Sequence, residues 1–207
     1  MNEIIIENLS KRYRRTFIFK GVNLTLDSKK YNFLVGSNGT GKSTFIKCLL
    51  GEVKYDGLIE TKNQVIAYAP ERITLPDYVS VSNFLLLLSR ITNKKVSQNK
   101  EKMDYYIKLF FLGPYIKMPI CKLSQGNRQK LILIQALMTE GDIYIFDEPL
   151  TGLDETSQKA FLKELKIKKN QQKMIIISTH RLEEYRFRNK NIIHFPLEGV
   201  ADDQITS

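Results

Sequence analysis

The sequence predicts an α/β fold: a parallel-sheet core with a β-rich start and an inserted helical segment. Three observations carry this. Apolar β-type runs crowd the first third, a basic helical stretch fills the middle, and strand and helix patterns alternate from there to the end. A chain of 207 residues is long enough for one sizeable core, or for one core and a smaller satellite.

The elements follow in order. "IIIEN", "TFIFKGVNLTL" and "KYNFLVG" are three early strands, and a helix follows Lys42. Short strands come next around Leu58 to Glu60 and Val65 to Ala69. Helices are expected near residues 80 to 112, with Ser80 or Ser82 as the start signal, and near 124 to 139. The second of these has an apolar face made by Leu131, Ile134 and Met138, and Ser124 fits its N-cap. Then "DIYIFD", "DETSQKAFLKELKI", "KMIIIST", "RLEEYRF" and "NIIHF" alternate strand with helix.

Composition narrows the setting. The N-terminus "MNEIIIENLS" lacks the basic start and long apolar run of a secretory leader. The apolar "NFLLLLSRI" falls short of the roughly 20 residues that a membrane span needs. Cys48 and Cys121 suggest neither a disulfide framework nor a metal site, which fits a reduced cytoplasmic compartment. The net charge of +10 is concentrated: from Arg90 to Lys130, ten lysines and arginines stand against two acids, Glu101 and Asp104. Such a patch attracts an anionic membrane surface or nucleic acid, or else serves as a solvated face.

"GSNGTGKST" matches G-x-x-x-x-G-K-[ST] and lies between an apolar strand and a helical pattern, the context that motif requires. Gly36, Ser37, Asn38, Gly39, Thr40, Gly41 and Thr44 form a loop whose backbone N–H groups can turn towards phosphate oxygens. The new helix adds its positive N-terminal end. Lys42 is expected to reach the β- and γ-phosphates, and Ser43 to hold Mg²⁺. About a hundred residues on, "DIYIFDEP" reads as a buried strand that ends in two carboxylates. At the C-terminal edge of a parallel sheet, Asp147 suits Mg²⁺ and Glu148 suits a general base that activates water.

With these pieces the chain resembles the ATP-binding subunit of ATP-binding-cassette (ABC) transporters over almost its whole length. "LSQGNRQK" resembles that family's signature, "TGLDE" its D-loop, which places Asp154, and "ISTH" its switch, which places His180. "KRYRR" puts Tyr13 where the family stacks an aromatic ring on adenine. The resemblance implies a P-loop NTPase core, an N-terminal antiparallel β subdomain and an inserted helical subdomain. It implies a single domain over 1–207, with 1–75 and 140–207 as nucleotide-binding core and 76–139 as helical subdomain. It also implies ATP and Mg²⁺, closure of two subunits head to tail, a separate transmembrane permease, and a cytoplasmic chain held peripherally on the cytoplasmic face of the cell membrane through that permease. The second subunit is an identical copy or a different ATPase. Ser124, Gly126 and Asn127 would then bind the nucleotide held by the partner, and His180 would hydrogen-bond the γ-phosphate and the attacking water. Asp154 would shape the dimer interface.

Three positions depart from the family pattern. Glu71 stands where the family usually has Gln after the "YAP" strand, so a carboxylate joins the expected metal site. Gln125 replaces the commoner Gly, and Asn127 the commoner Gln. These variants resemble those of small bacterial exporters for drugs, peptides or antibiotics, so the expected function is ATP-driven transport in the export direction. The alternative is a soluble ABC-type ATPase acting on nucleic acid or the ribosome. The single cassette and the lack of a Lys/Arg-rich tail make nucleic acid the weaker expectation.

Overall fold

In a computed structural model that describes residues 3–61, 63–72, 74–91 and 96–197, the chain folds around two sheets. The first is antiparallel and contains β1 (Glu3–Tyr13), β2 (Thr16–Asp27) and β4 (Asp56–Ile59), in the order β2-β1-β4. The second is parallel and contains β3 (Tyr31–Val35), β5 (Ile66–Ala69), β6 (Ile143–Asp147), β7 (Met174–Thr179) and β8 (Lys190–His194), in the order β5-β6-β7-β3-β8. Strands β3, β6 and β7 read as near-continuous apolar runs because both faces of this sheet are covered.

One face packs with helix α1 (Lys42–Leu49) against the antiparallel sheet. Leu34, Ile143, Ile145 and Ile176 meet Phe45 and Ile46 of α1 and Ile4, Ile6 and Leu26 of the first sheet. The other face carries Phe33, Tyr144, Phe146, Ile175 and Ile177. It joins one core with α2 (Val81–Ile91), α3 (Val96–Leu109), α4 (Gln125–Met138) and α5 (Glu155–Asn170). Alternate residues of β6 thus point into two different cores, as strand geometry requires. The described helices include none long and apolar enough to cross a membrane.

Two expectations change. The helix over 80 to 112 becomes two, α2 and α3, and Lys94 and Lys95 of the basic stretch lie outside the described residues. Ser80 is the side chain that accepts from the start of α2, at 3.3 Å from Asn83 N. "RLEEYRF" forms only a short 3₁₀ turn over Leu182–Glu184. Tyr185 and Phe187 explain this: both are buried, and with Tyr31 and Phe33 they build an aromatic cluster on the sheet, which an extended backbone reaches and a helix would not.

Candidate nucleotide site

The loop from Gly36 to Gly41 leaves β3 and enters α1 with Gly41 at φ 102°, in the left-handed region. A Cβ there would also lie 2.7 Å from Ile18 Cγ2, so backbone conformation and the neighbouring strand both demand glycine. Thr40 Oγ1 donates to Ser37 O at 2.8 Å, which closes the loop on itself. Lys42 is buried and folds back over the loop, donating to Gly36 O at 2.6 Å and Ser37 O at 3.0 Å. Its ammonium lies 3.7 Å from Glu148 Oε1.

A cavity of about 470 Å³ opens here. Lys42, Ser43, Asp147 and Glu148 line it together with Asn38, Gly39, Gly41 and Thr44 of the loop. Ser43 Oγ donates to Asp147 Oδ2 at 2.9 Å, across 104 residues of sequence. Glu71 also reaches this cavity, beside Arg72, whose Nε lies 3.6 Å from the Glu71 carboxylate. Burial, reinforced by the negative charges of Asp147, Glu52 and Glu71, pushes the neighbouring Tyr68 phenol well up.

Glu148 follows β6 at φ 48°, a left-handed conformation that a carboxylate residue adopts only when its surroundings hold it. Its N–H donates to Ser178 O at 3.1 Å. Its Oε1 is buried without a hydrogen-bond partner among the described residues, and Oε2 lies 3.0 Å from His180 Nδ1. His180 also flanks a second hollow with Val35, Gly36, Ser37 and Asn38 of the phosphate loop and the strand before it.

The Asp147 carboxylate and Ser43 hydroxyl are hard oxygen donors of the kind Mg²⁺ takes. No three His, Cys, Asp or Glu residues among those described form a metal-binding group. That fits Mg²⁺, which keeps several waters and substrate phosphate oxygens and needs only one or two carboxylates.

The signature residues stand apart from this cavity. Ser124 caps α4, its Oγ accepting from Asn127 N at 3.3 Å. A Cβ on Gly126 would lie 2.5 Å from Gly152 O, so the start of α4 rests directly on the loop that follows Glu148. Lys130 Nζ and Asp154 Oδ2 join the same two segments at 2.8 Å. The Lys130 ammonium and the Ser157 N–H hold the Asp154 carboxyl down at about 2. Tyr13 sits near the tip of the β1–β2 hairpin, away from the cavity lining. The residue is 46% exposed, and Lys11 Nζ lies 4.6 Å from the ring centroid.

Sequence reasoning missed Ile18, Ser178 and Lys130. Ile18 is one apolar residue in an alternating strand, and the other two acquire partners only through the fold.

The ABC transporter family model matches residues 19–151, which contain the phosphate loop, the signature and the Asp147–Glu148 strand end. This chain belongs to the ABC transporter family. It carries the ATP-binding cassette of that family. An ABC transporter ATP-binding protein of Mycoplasma pneumoniae is 30% identical over 196 residues, covering 86% of this chain and 59% of that protein. A zinc import ATP-binding protein of a Jannaschia species is 29% identical over 171 residues, covering 80% of the cassette and 67% of its relative. Among solved structures, an ATP-binding subunit of an ABC transporter superposes with a TM-score of 0.82 at 25% identity, over 93% of the cassette and 85% of that chain.

Proposed function

We propose that this cassette is an ATP-hydrolysing subunit that closes head to tail on a second cassette around two ATP and drives export through a separate transmembrane permease. The observation that supports this best is the meeting of Lys42, Ser43, Asp147 and Glu148 on one cavity, with a buried carboxylate oxygen of Glu148 left without a hydrogen bond among the described residues. Backbone N–H groups of residues 36–44 cradle the phosphates, and Lys42 exchanges its contacts with loop carbonyls for phosphate oxygens. Ser43 and Asp147 would hold Mg²⁺, with Glu71 as a third oxygen ligand, and the cation would supply Lewis-acid stabilisation of phosphate charge there. Glu148 orients water and takes its proton, and His180 steadies that carboxylate and contacts the terminal phosphate. Tyr13 stacks on adenine, while Ser124, Gly126 and Asn127 contact the partner's nucleotide.

The basic helical subdomain, residues 76–139, faces the permease at the cytoplasmic side of the membrane. The export direction rests on the Gln125 and Asn127 variants, and the relative named for zinc import points the other way. Transport by vesicles of known orientation decides between them.

The proposal is tested by assaying the purified chain for phosphate release from ATP and for co-purification with an integral membrane protein from its own cells. It expects both. ATP turnover without a membrane partner would favour a soluble ATPase instead.

A further inference from the structure

We propose that Ser178 is a positioning residue for the divalent cation at Asp147, setting how tightly the cassette holds metal. The proposal rests on the nucleotide-and-metal reading above. Ser178 stands on β7 directly beside Asp147 of β6 in the parallel register, and its side chain is fully buried.

The hydroxyl has one proton to give and lone pairs to share. It donates to Asp147 Oδ1 and accepts the N–H of Glu148 at 3.3 Å. The other carboxylate oxygen, Oδ2, accepts from Ser43. Asp147 is therefore gripped from both sides, with one oxygen committed inside the sheet and the other turned to the cavity. The same hydroxyl supports the N–H of Glu148, whose φ of 48° needs holding. One buried side chain thus orients the Asp147 carboxylate and shares the backbone N–H of Glu148 with Ser178 O.

The neighbours of Ser178 along β7 support this. Met174, Ile175, Ile176 and Ile177 are all buried and apolar. A hydroxyl in such surroundings is satisfied only because Asp147 and Glu148 offer partners. Removing it leaves Asp147 held only at Oδ2 by Ser43, so ordering the carboxylate becomes a cost of binding metal.

The test uses Mn²⁺ as probe, titrated into the full chain at saturating ADP and followed by electron paramagnetic resonance. Wild type is compared with Ser178→Ala and Ser178→Thr, alongside ADP affinity measured in EDTA. Ser178→Ala is expected to weaken Mn²⁺ by about tenfold, the lower end of what losing a partner of a ligating carboxylate costs. Metal-free ADP affinity should stay within about twofold, and Ser178→Thr, which keeps the hydroxyl, should recover Mn²⁺ binding. Unchanged Mn²⁺ affinity in Ser178→Ala overturns the proposal. So does an equal loss of metal-free ADP binding, which marks a merely structural residue. If wild type binds no Mn²⁺ with ADP, the metal reading itself fails and Ser178 falls with it.

Discussion

His180 Nδ1 lies 3.0 Å from Glu148 Oε2, while Arg181 Nε donates to His180 Nε2 at 3.1 Å. An ionised carboxylate only accepts and a guanidinium only donates. Nε2 is therefore the accepting nitrogen of the ring, which leaves Nδ1 to carry a proton towards Glu148. His180→Ala should leave ATP binding within about twofold of wild type and slow hydrolysis by about a hundredfold, because the base Glu148 loses the ring that steadies it. Nucleotide titration and steady-state phosphate release measure the two. Normal turnover would remove His180 from the mechanism.

Glu71 reaches the cavity with its side chain 41% exposed, beside Arg72. If its carboxylate touches the cation, Glu71→Gln shifts the Mg²⁺ dependence of ATPase activity to higher concentration and leaves metal-free nucleotide binding unchanged. A Mg²⁺ titration that superposes on wild type excludes Glu71 from the metal site.

Asp154 caps α5, accepting from Ser157 N at 2.8 Å, and pairs with Lys130. Its folded-state value of about 2 lies below the unfolded value of about 4. Below that unfolded value the unfolded chain binds more protons, so stability falls as pH drops. The contribution is present above pH about 4 and is lost as pH approaches about 2. Asp154→Asn keeps a capping oxygen and removes the charge. Denaturant melts should show wild type more stable at pH 6, with the gap closing across that acid window. A gap that is constant with pH would mean that the charge contributes nothing.

Ser124 caps its own helix, and its proposed phosphate belongs to a partner. Ser124→Arg should leave ATP binding by the monomer intact, since the phosphate loop is untouched, and should abolish ATP-driven dimerisation and hydrolysis. Mixing it with Lys42→Ala creates mixed dimers in which one composite site carries both lesions and the other none. Recovery of part of the activity on mixing supports action across the interface. Loss of monomer ATP binding in Ser124→Arg would show that the signature acts within its own chain.

Much of this was legible in the sequence because the signals are local. The phosphate loop needs glycines at fixed spacing between a strand and a helix, and the buried strand ending at Asp147 shows as an unbroken apolar run. The cap at Ser124 is equally local. The segment after His180 misled because "RLEEYRF" has helical composition, while its course is set by Tyr185 and Phe187 packing on distant strands. Ser178 carries no signal of its own, since its partners are 31 and 30 residues away and meet it only through parallel pairing. The contact of Gly126 with Gly152 and the pair of Lys130 with Asp154 arise from packing of α4 on the loop after β6, which periodicity cannot place.

Hydrolysis of ATP at this cavity with Glu148 as the base is measured by phosphate release from Mg²⁺-ATP in wild type and Glu148→Gln, beside ATP affinity. The variant is expected to show unchanged or tighter ATP binding, a turnover rate lower by about a hundredfold or more, and a persistent ATP-bound dimer. Hydrolysis by Glu148→Gln at the wild-type rate would contradict it.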